Sequence, residues 1–205
     1  MNTDISSLLE QMRGIQEQLE RRFDGARETF RYSVENGRVL ISREARELQQ
    51  RYRTSSLRYL LDAKLTSLLT VPIVYSMLLP LLLVDLGFSL YQQICFRAYG
   101  VPLVTRGRYR VNDRYKLAYL NTIEKVNCSY CGYANGVIAY AREVASRTEQ
   151  YWCPIRHARH VPDAHKRYPQ FFDYGDAVSW REKLDEKRQE LTGEAATGKE
   201  EPVHP

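Results

Sequence analysis

The feature that most constrains this chain is an apolar run at residues 65–84, twenty residues without a charged side chain. Twelve of them are Leu, Val or Ile, and together these favour insertion into a membrane by roughly 4 to 7 kcal/mol. A helix of this length measures about 30 Å, which matches the hydrocarbon core of a bilayer. The run therefore predicts a mainly α, membrane-associated protein.

Two arrangements of this membrane region, residues 65–99, are open. In the first, residues 65–84 cross the bilayer as a single span, with Asp85 at the interface. In the second, Pro80 breaks the region into a helical hairpin that enters the membrane and returns. Basic residues exceed acidic ones five to two over residues 45–64 and six to one over residues 97–116. Because basic flanks stay in the cytoplasm, this symmetry favours the hairpin.

Charge also indicates the partner and the compartment. Residues 97–170 carry 13 basic and five acidic side chains, and beside an apolar run such an excess predicts contact with an anionic lipid bilayer rather than nucleic acid. The first ten residues have neither the basic start nor the apolar core of a secretory signal. We therefore expect the four cysteines to be reduced, which favours metal binding over disulfides.

The N-terminal region, residues 1–64, is predicted to be helical around a small β-hairpin, with a helix interrupted at Gly37 as the alternative to the hairpin. An amphipathic helix from about residue 4 to 22 either packs on its own chain or self-associates with a second copy as a short coiled coil. Its apolar positions are Ile5, Leu8, Met12, Ile15 and Leu19. Ser42 is the expected N-cap of a second helix that ends near Arg53.

The dipeptide Asn36-Gly37 predicts the turn of the hairpin, over residues 30–41, because both positions of a type I′ turn need positive φ. In the resulting register the cross-strand pairs are Glu35 with Arg38, Val34 with Val39, and Tyr32 with Ile41.

The basic region, residues 100–175, contains a candidate metal site. Cys128 and Cys131 form a C-x2-C pair, and Gly132 allows a tight turn after it. Cys153 and His157 form a C-x3-H pair. Three thiolates and one imidazole make the closed tetrahedral set typical of structural zinc, and an iron–sulfur cluster is the alternative.

The cysteines also have other interpretations, as buried apolar side chains or as a redox-active dithiol. A helix over residues 112–126 is expected to deliver Cys128. A second helix, over residues 134–152, then carries the chain away, so Cys153 meets the first pair only if neighbouring elements fold back alongside. His160 is an alternate ligand. Glu149 and Trp152 are candidates to orient a histidine ligand or to contact a bound group.

The C-terminal region, residues 176–205, is predicted to form one more helix and an acidic tail. Asp176 is a natural N-cap for a helix from about Ala177 to Leu191. The residues that follow have the composition of a disordered segment.

Three strings, VENGRVLISREARELQ, CSYCGYANGVIAY and TEQYWCPIRHARH, resemble an uncharacterised family of bacterial membrane-associated proteins. The resemblance covers most of residues 23–180. It implies a bacterial, membrane-bound context and brings no known activity. It also implies that Cys128, Cys131, Cys153 and His157 are the signature positions of the family.

These observations predict a membrane-attached, metal-binding scaffold or regulatory protein with a structural zinc site. The expected location is the cytoplasmic face of the bacterial inner membrane. One alternative is an iron or iron–sulfur redox component or enzyme at the membrane surface, and a second is a zinc-containing nucleic-acid binder. Whether any reaction is catalysed stays open, because no motif in the sequence specifies one.

Overall fold

The structure, a computed structural model, describes residues 2–35 and 38–197. Within them the chain is mainly helical with one two-stranded antiparallel hairpin, as the sequence predicts. The strands are β1 (Tyr32–Glu35) and β2 (Arg38–Ile41). The helices of six residues or more are α1 (Asn2–Phe30), α2 (Arg43–Arg51), α3 (Ser56–Leu61), α4 (Leu65–Ser76), α5 (Leu78–Tyr91), α6 (Thr122–Trp152) and α7 (Ala177–Thr197).

The described residues form two compact units. The first contains those within 1–62 and 113–126, and the second contains those within 63–112 and 127–197. In the first unit the predicted hairpin register is confirmed, with Tyr32 opposite Ile41 and Glu35 opposite Arg38. The predicted turn, Asn36-Gly37, lies outside the described residues. The hairpin is held to the rest of its unit by Lys116, whose Nζ donates to the Val39 carbonyl at 3.1 Å.

The helix starts in the first unit follow local capping. Ser42 caps α2 as predicted, since its hydroxyl accepts a hydrogen bond from the Ala45 amide at 3.2 Å. α1 is longer than predicted and continues to Phe30. The helix predicted over residues 112–126 is confirmed only for residues 122–126, because α6 begins at Thr122.

A reciprocal capping box sets the start of α6 at Thr122. The amide of Asn121 donates to the Glu124 carboxylate at 2.8 Å, and the amide of Glu124 donates to the Asn121 side chain at 3.0 Å.

The apolar run forms one nearly continuous helix in the second unit. α4 and α5 are separated only by Met77, and helical turns continue through Gln92–Phe96 and Arg97–Tyr99. Pro80 does not make a hairpin, because it occupies the first turn of α5, where its missing N–H breaks no helical bond. Gly100 ends the helix with a φ of 70°, a conformation that suits glycine.

After Gly100 the chain reverses, and residues 101–112, which we name the return segment, run back along α5 and α6. A buried cluster of both helices, this segment and α7 forms the core of the unit: Phe96, Val101, Val104, Tyr140, Val144 and Leu191. α7 begins where predicted, with Asp176 accepting from the Ser179 amide at 3.0 Å. It extends to Thr197, so residues 192–197 are helical rather than part of a tail.

Candidate functional site

The first pair of predicted metal ligands lies within α6. The sequence predicts a turn at Cys128 to Gly132, and this is wrong, because α6 runs unbroken through these residues. Spacing of three positions puts Cys128 and Cys131 about one turn apart on the same helix face. Cys128 is half-buried and Cys131 is exposed.

The second predicted pair lies at the far end of α6. The helix ends at Trp152, as the Cys153-Pro154 pair predicts. Cys153 lies twenty-two positions after Cys131, which corresponds to about 33 Å along a helix. One ion therefore cannot contact both pairs in this structure. No group of three or more His, Cys, Asp or Glu side chains among the described residues is placed to hold a metal.

The remaining candidate residues are exposed or contact aromatic side chains. His157 is exposed, its amide donates to the Tyr168 hydroxyl at 2.7 Å, and its ring stacks on Tyr168 with centroids 6.3 Å apart. His160 is exposed. Trp152 packs edge-on against Tyr99 at 5.4 Å. The predicted four-ligand site is thus not assembled here, and we derive no chemistry from a bound metal.

Glu149 does hold a histidine, but it is His165 rather than His157. The Nε2 of His165 lies 2.9 Å from the Glu149 carboxylate, and its Nδ1 is buried without a partner among the described residues. Burial, followed by the negative charge of Glu149, raises the pKa of the Cys153 thiol. Cys153 is therefore mainly the neutral thiol at pH 7, which disfavours a role as a nucleophile.

A partly buried ion network near this end of α6 was not predicted from the sequence. Arg167 lies 2.8 Å from Glu194 of α7 and 3.4 Å from Glu143 of α6. Although burial opposes the charge, the hydrogen bond and charge of Glu194, with Glu143, raise the pKa of Arg167. Arg147 adds a second contact to Glu143 at 2.8 Å. Of these contacts, only the i, i+4 pair of Glu143 and Arg147 could have been recognised in the sequence.

The apolar helix and α6 run parallel, and a row of polar contacts joins them in the second unit. We name this interface the seam. Along this seam Tyr75 donates to Asn127 at 2.5 Å, and Tyr130 donates to the Val74 carbonyl at 2.8 Å. Farther on, the Gln92 amide donates to the Tyr140 hydroxyl at 2.7 Å. The apolar helix therefore turns Tyr75 and Gln92 towards α6.

Gln92 also fixes the return segment. Its side-chain oxygen accepts from the Val104 amide at 2.8 Å, and its nitrogen donates to the Val104 carbonyl at 3.2 Å. One amide side chain thus satisfies both backbone groups of a buried residue, as a neighbouring strand would. Gln92 opens the π-helical turn Gln92–Phe96, a type of irregularity that is frequent at functional sites.

Asp85 is the charged centre of the seam. Its Oδ2 lies 2.5 Å from an Arg106 nitrogen of the return segment and accepts from the Tyr133 hydroxyl at 3.1 Å. Its Oδ1 is buried and has no partner among the described residues. Burial, then the hydrogen bond to Asp85, raises the pKa of Tyr133. Asp85 is therefore a buried carboxylate that depends on Arg106, and its position at the membrane interface stays a prediction.

Two glycines of α6 allow the return segment to lie directly on the helix. A Cβ at Gly136 would stand 2.8 Å from the Tyr109 carbonyl oxygen and 3.0 Å from the Arg110 Cα. A Cβ at Gly132 would stand 3.1 Å from the Val111 carbonyl oxygen. The glycines thus permit close packing of the return segment rather than a turn around a metal.

An open cleft of about 380 Å³ lies between the return segment and α6. Its lining contains two arginines and no carboxylate: Arg106, Gly107, Arg110, Val111, Asn112, Ser129, Gly132 and Tyr133. The Arg110 guanidinium lies 4.8 Å above the centre of the Tyr133 ring, in a cation–π contact. The cleft is therefore basic and begins beside the apolar helix.

Opposite the seam, the apolar helix is exposed. Every residue of α4 except Tyr75 is exposed. In α5 and the π-helical turn, the exposed side chains continue on the face away from α6 as Leu79, Leu83, Leu86, Leu90 and Ile94. Among the described residues, Leu65–Tyr99 is the one helix long and apolar enough to cross a membrane.

Comparison of the chain with protein-family models, curated proteins and solved structures finds no match.

Proposed function

We propose that this chain is a monotopic membrane protein, held by the exposed face of α4 and α5, which acts as a scaffold or interaction protein at the cytoplasmic surface. The observation that carries this proposal is the exposure of the apolar helix. None of its most apolar eighteen-residue window is buried against the rest of the chain.

The energetics favour lipid over water around this helix. Ile73 is 68% exposed and Leu83 is 61% exposed. Burying one such side chain completely is worth about 1.5–3 kcal/mol, and the exposed face holds many of them. Continuous apolar surface of this extent marks a membrane or protein contact. Because α4 is exposed all round, lipid accounts for its surroundings better than one flat protein partner.

The basic residues on both flanks of the apolar helix favour a monotopic arrangement over a complete span. A complete span would place one of these two flanks outside the cytoplasm, which is unfavourable. A nearly continuous helix that lies along one leaflet, rather than across the bilayer, keeps both of its ends on one side. That arrangement agrees with the basic residues on both flanks.

The interaction role rests on α1. Ile15, Leu19 and Phe30 of this helix are exposed, and such a face suits another helix. Self-association through α1 stays a prediction. The structural zinc site also stays a prediction, and metal analysis of the purified protein, with its absorption spectrum, distinguishes it from an iron centre.

Membrane fractionation of a charge-substituted chain tests the anchor. Each apolar-to-aspartate change at the centre of a membrane helix costs about 3–4 kcal/mol, so the double variant Ile73→Asp, Leu83→Asp removes most of the insertion energy. We expect it in the soluble fraction, and wild type in membranes after alkaline washing. The control is Val178→Asp, Tyr174→Asp, two side chains that are 65% and 71% exposed outside the helix. Equal retention of both double variants in membranes contradicts the proposal.

Side-specific labelling then separates the monotopic form from a span. Glu47 and Cys153 lie on either side of the apolar helix in sequence and are both exposed. With the other three native cysteines replaced by serine, a Glu47→Cys variant should react with a membrane-impermeant maleimide at both remaining thiols from the cytoplasmic side. Reaction of the two thiols from opposite sides would show a complete span.

A further inference from the structure

We propose that the cleft between the return segment and α6 is a binding site for the phosphate of one anionic phospholipid. This inference rests on the proposed function, since it requires α5 to contact the membrane. The site is formed by Arg106 and Arg110 on the return segment and by Ser129, Gly132 and Tyr133 on α6. Its volume of about 380 Å³ is within the range of small-molecule sites, about 300–1,000 Å³.

The charge of the cleft is unbalanced by one unit. Arg106 is paired with Asp85, which does not line the cleft. Arg110 lies over the Tyr133 ring, and among the described residues no ion pair joins it to a carboxylate. A guanidinium stacked on a ring keeps its N–H groups at its edge, where they can donate to phosphate oxygens in pairs. One phosphodiester of charge −1 would restore neutrality.

The position of the cleft suits a lipid headgroup. Arg106 reaches α5 directly through Asp85, so the cleft begins within one side-chain length of the apolar helix. Lipid phosphates lie in an interfacial layer about 5–8 Å thick on each side of the hydrocarbon. A cleft that begins at the surface of a membrane-embedded helix therefore opens at the depth of the phosphates.

The lining also selects the kind of lipid. A zwitterionic headgroup presents an ammonium group next to its phosphate, and such a cation needs a carboxylate or a free aromatic face. The lining holds no carboxylate, and Arg110 already covers the Tyr133 ring. The cleft thus favours a headgroup whose only charge is the phosphate, such as phosphatidylglycerol.

Native mass spectrometry of the full-length protein from nanodiscs tests this site. The probes are nanodiscs of pure phosphatidylcholine and of phosphatidylcholine mixed equally with phosphatidylglycerol. We expect wild type to retain one phosphatidylglycerol, and Arg110→Gln to bind it about tenfold more weakly or worse, since one charge-assisted contact is lost. The matched control is Arg159→Gln, which removes the same charge from an exposed loop position outside the lining. Arg110→Lys should keep part of the affinity, which separates loss of charge from misfolding.

Several results would overturn the inference. The first is equal lipid retention by Arg110→Gln and Arg159→Gln, and the second is equal retention of the two lipids by wild type. The third is that free glycerol phosphate stabilises the detergent-solubilised protein against heat as much as phosphatidylglycerol does. These leave the membrane anchor intact, because wild type would still enter the nanodiscs. Failure of wild type to enter any nanodisc would instead contradict the proposed function itself.

Discussion

The contact between Gly136 and the return segment allows a sharp prediction about stability. In Gly136→Ala the new methyl group would lie 2.8 Å from the Tyr109 carbonyl oxygen and 3.0 Å from the Arg110 Cα. Both are backbone atoms, and Gln92 holds the return segment nearby through Val104. The segment therefore cannot withdraw without losing buried hydrogen bonds. Overpacking of this kind costs about 1–3 kcal/mol.

A matched control separates this clash from the intrinsic effect of alanine. Alanine stabilises a helix interior by about 1 kcal/mol relative to glycine. A methyl group added at Gly87 of α5 would meet no atom within 4 Å, so Gly87→Ala should show only this gain. The two variants should therefore differ by about 1–3 kcal/mol, which is the overpacking term alone. At about 2–4 °C per kcal/mol for a chain of this size, Gly136→Ala should melt about 2–12 °C below Gly87→Ala.

Thermal unfolding of both variants in the same detergent, followed by far-ultraviolet circular dichroism, measures this difference. Equal melting temperatures would refute the reasoning, since they would mean that the return segment does not lie on the glycines. A lower melting temperature for Gly87→Ala than for Gly136→Ala would do so as well.

Two further predictions follow from the buried charges. Arg106→Ala should destabilise the protein by about 3 kcal/mol. This is the lower end of the range for a buried ion pair, because Arg106 is partly exposed. Adding Asp85→Asn should recover much of the loss in the same melting assay. Asp85→Asn alone should therefore be the milder single change, and the reverse order would contradict the pairing. For Cys153, whose pKa is raised, the alkylation rate should reach half its maximum above the usual pH of a thiol. With the other cysteines replaced by serine, Glu149→Gln should shift this midpoint to lower pH, and no shift would exclude the charge of Glu149 as a cause.

Local features were predictable because their causes lie within a few residues. The dipeptide Asn36-Gly37 predicted the observed register of the β-hairpin, although it lies outside the described residues. Ser42 and Asp176 start helices because their side chains accept from amides three positions ahead. The apolar run likewise predicted a long helix. The break expected at Pro80 failed because a proline in a first turn removes no hydrogen bond.

The candidate metal site could not be decided by sequence spacing. Two cysteines three positions apart fit a metal-binding turn, and they equally fit adjacent turns of one helix. Which form is adopted depends on what packs against the segment. Here it is the return segment, which needs Gly132 and Gly136 within a straight helix. Gly132, which suggested a turn after Cys131, instead allows close contact with a part of the chain that is distant in sequence.

The sequence by itself determined where this protein is apolar, where it is basic and where most of its helices and strands begin. Each of these properties depends on composition or on side chains within one turn. Only the tertiary structure decided that Asp85 pairs with Arg106, twenty-one positions away, and that α6 runs unbroken from the first cysteine pair towards the second. The physical reason is that a buried charge and a close backbone contact are both set by partners distant in sequence. Spacing along the chain carries no record of those partners.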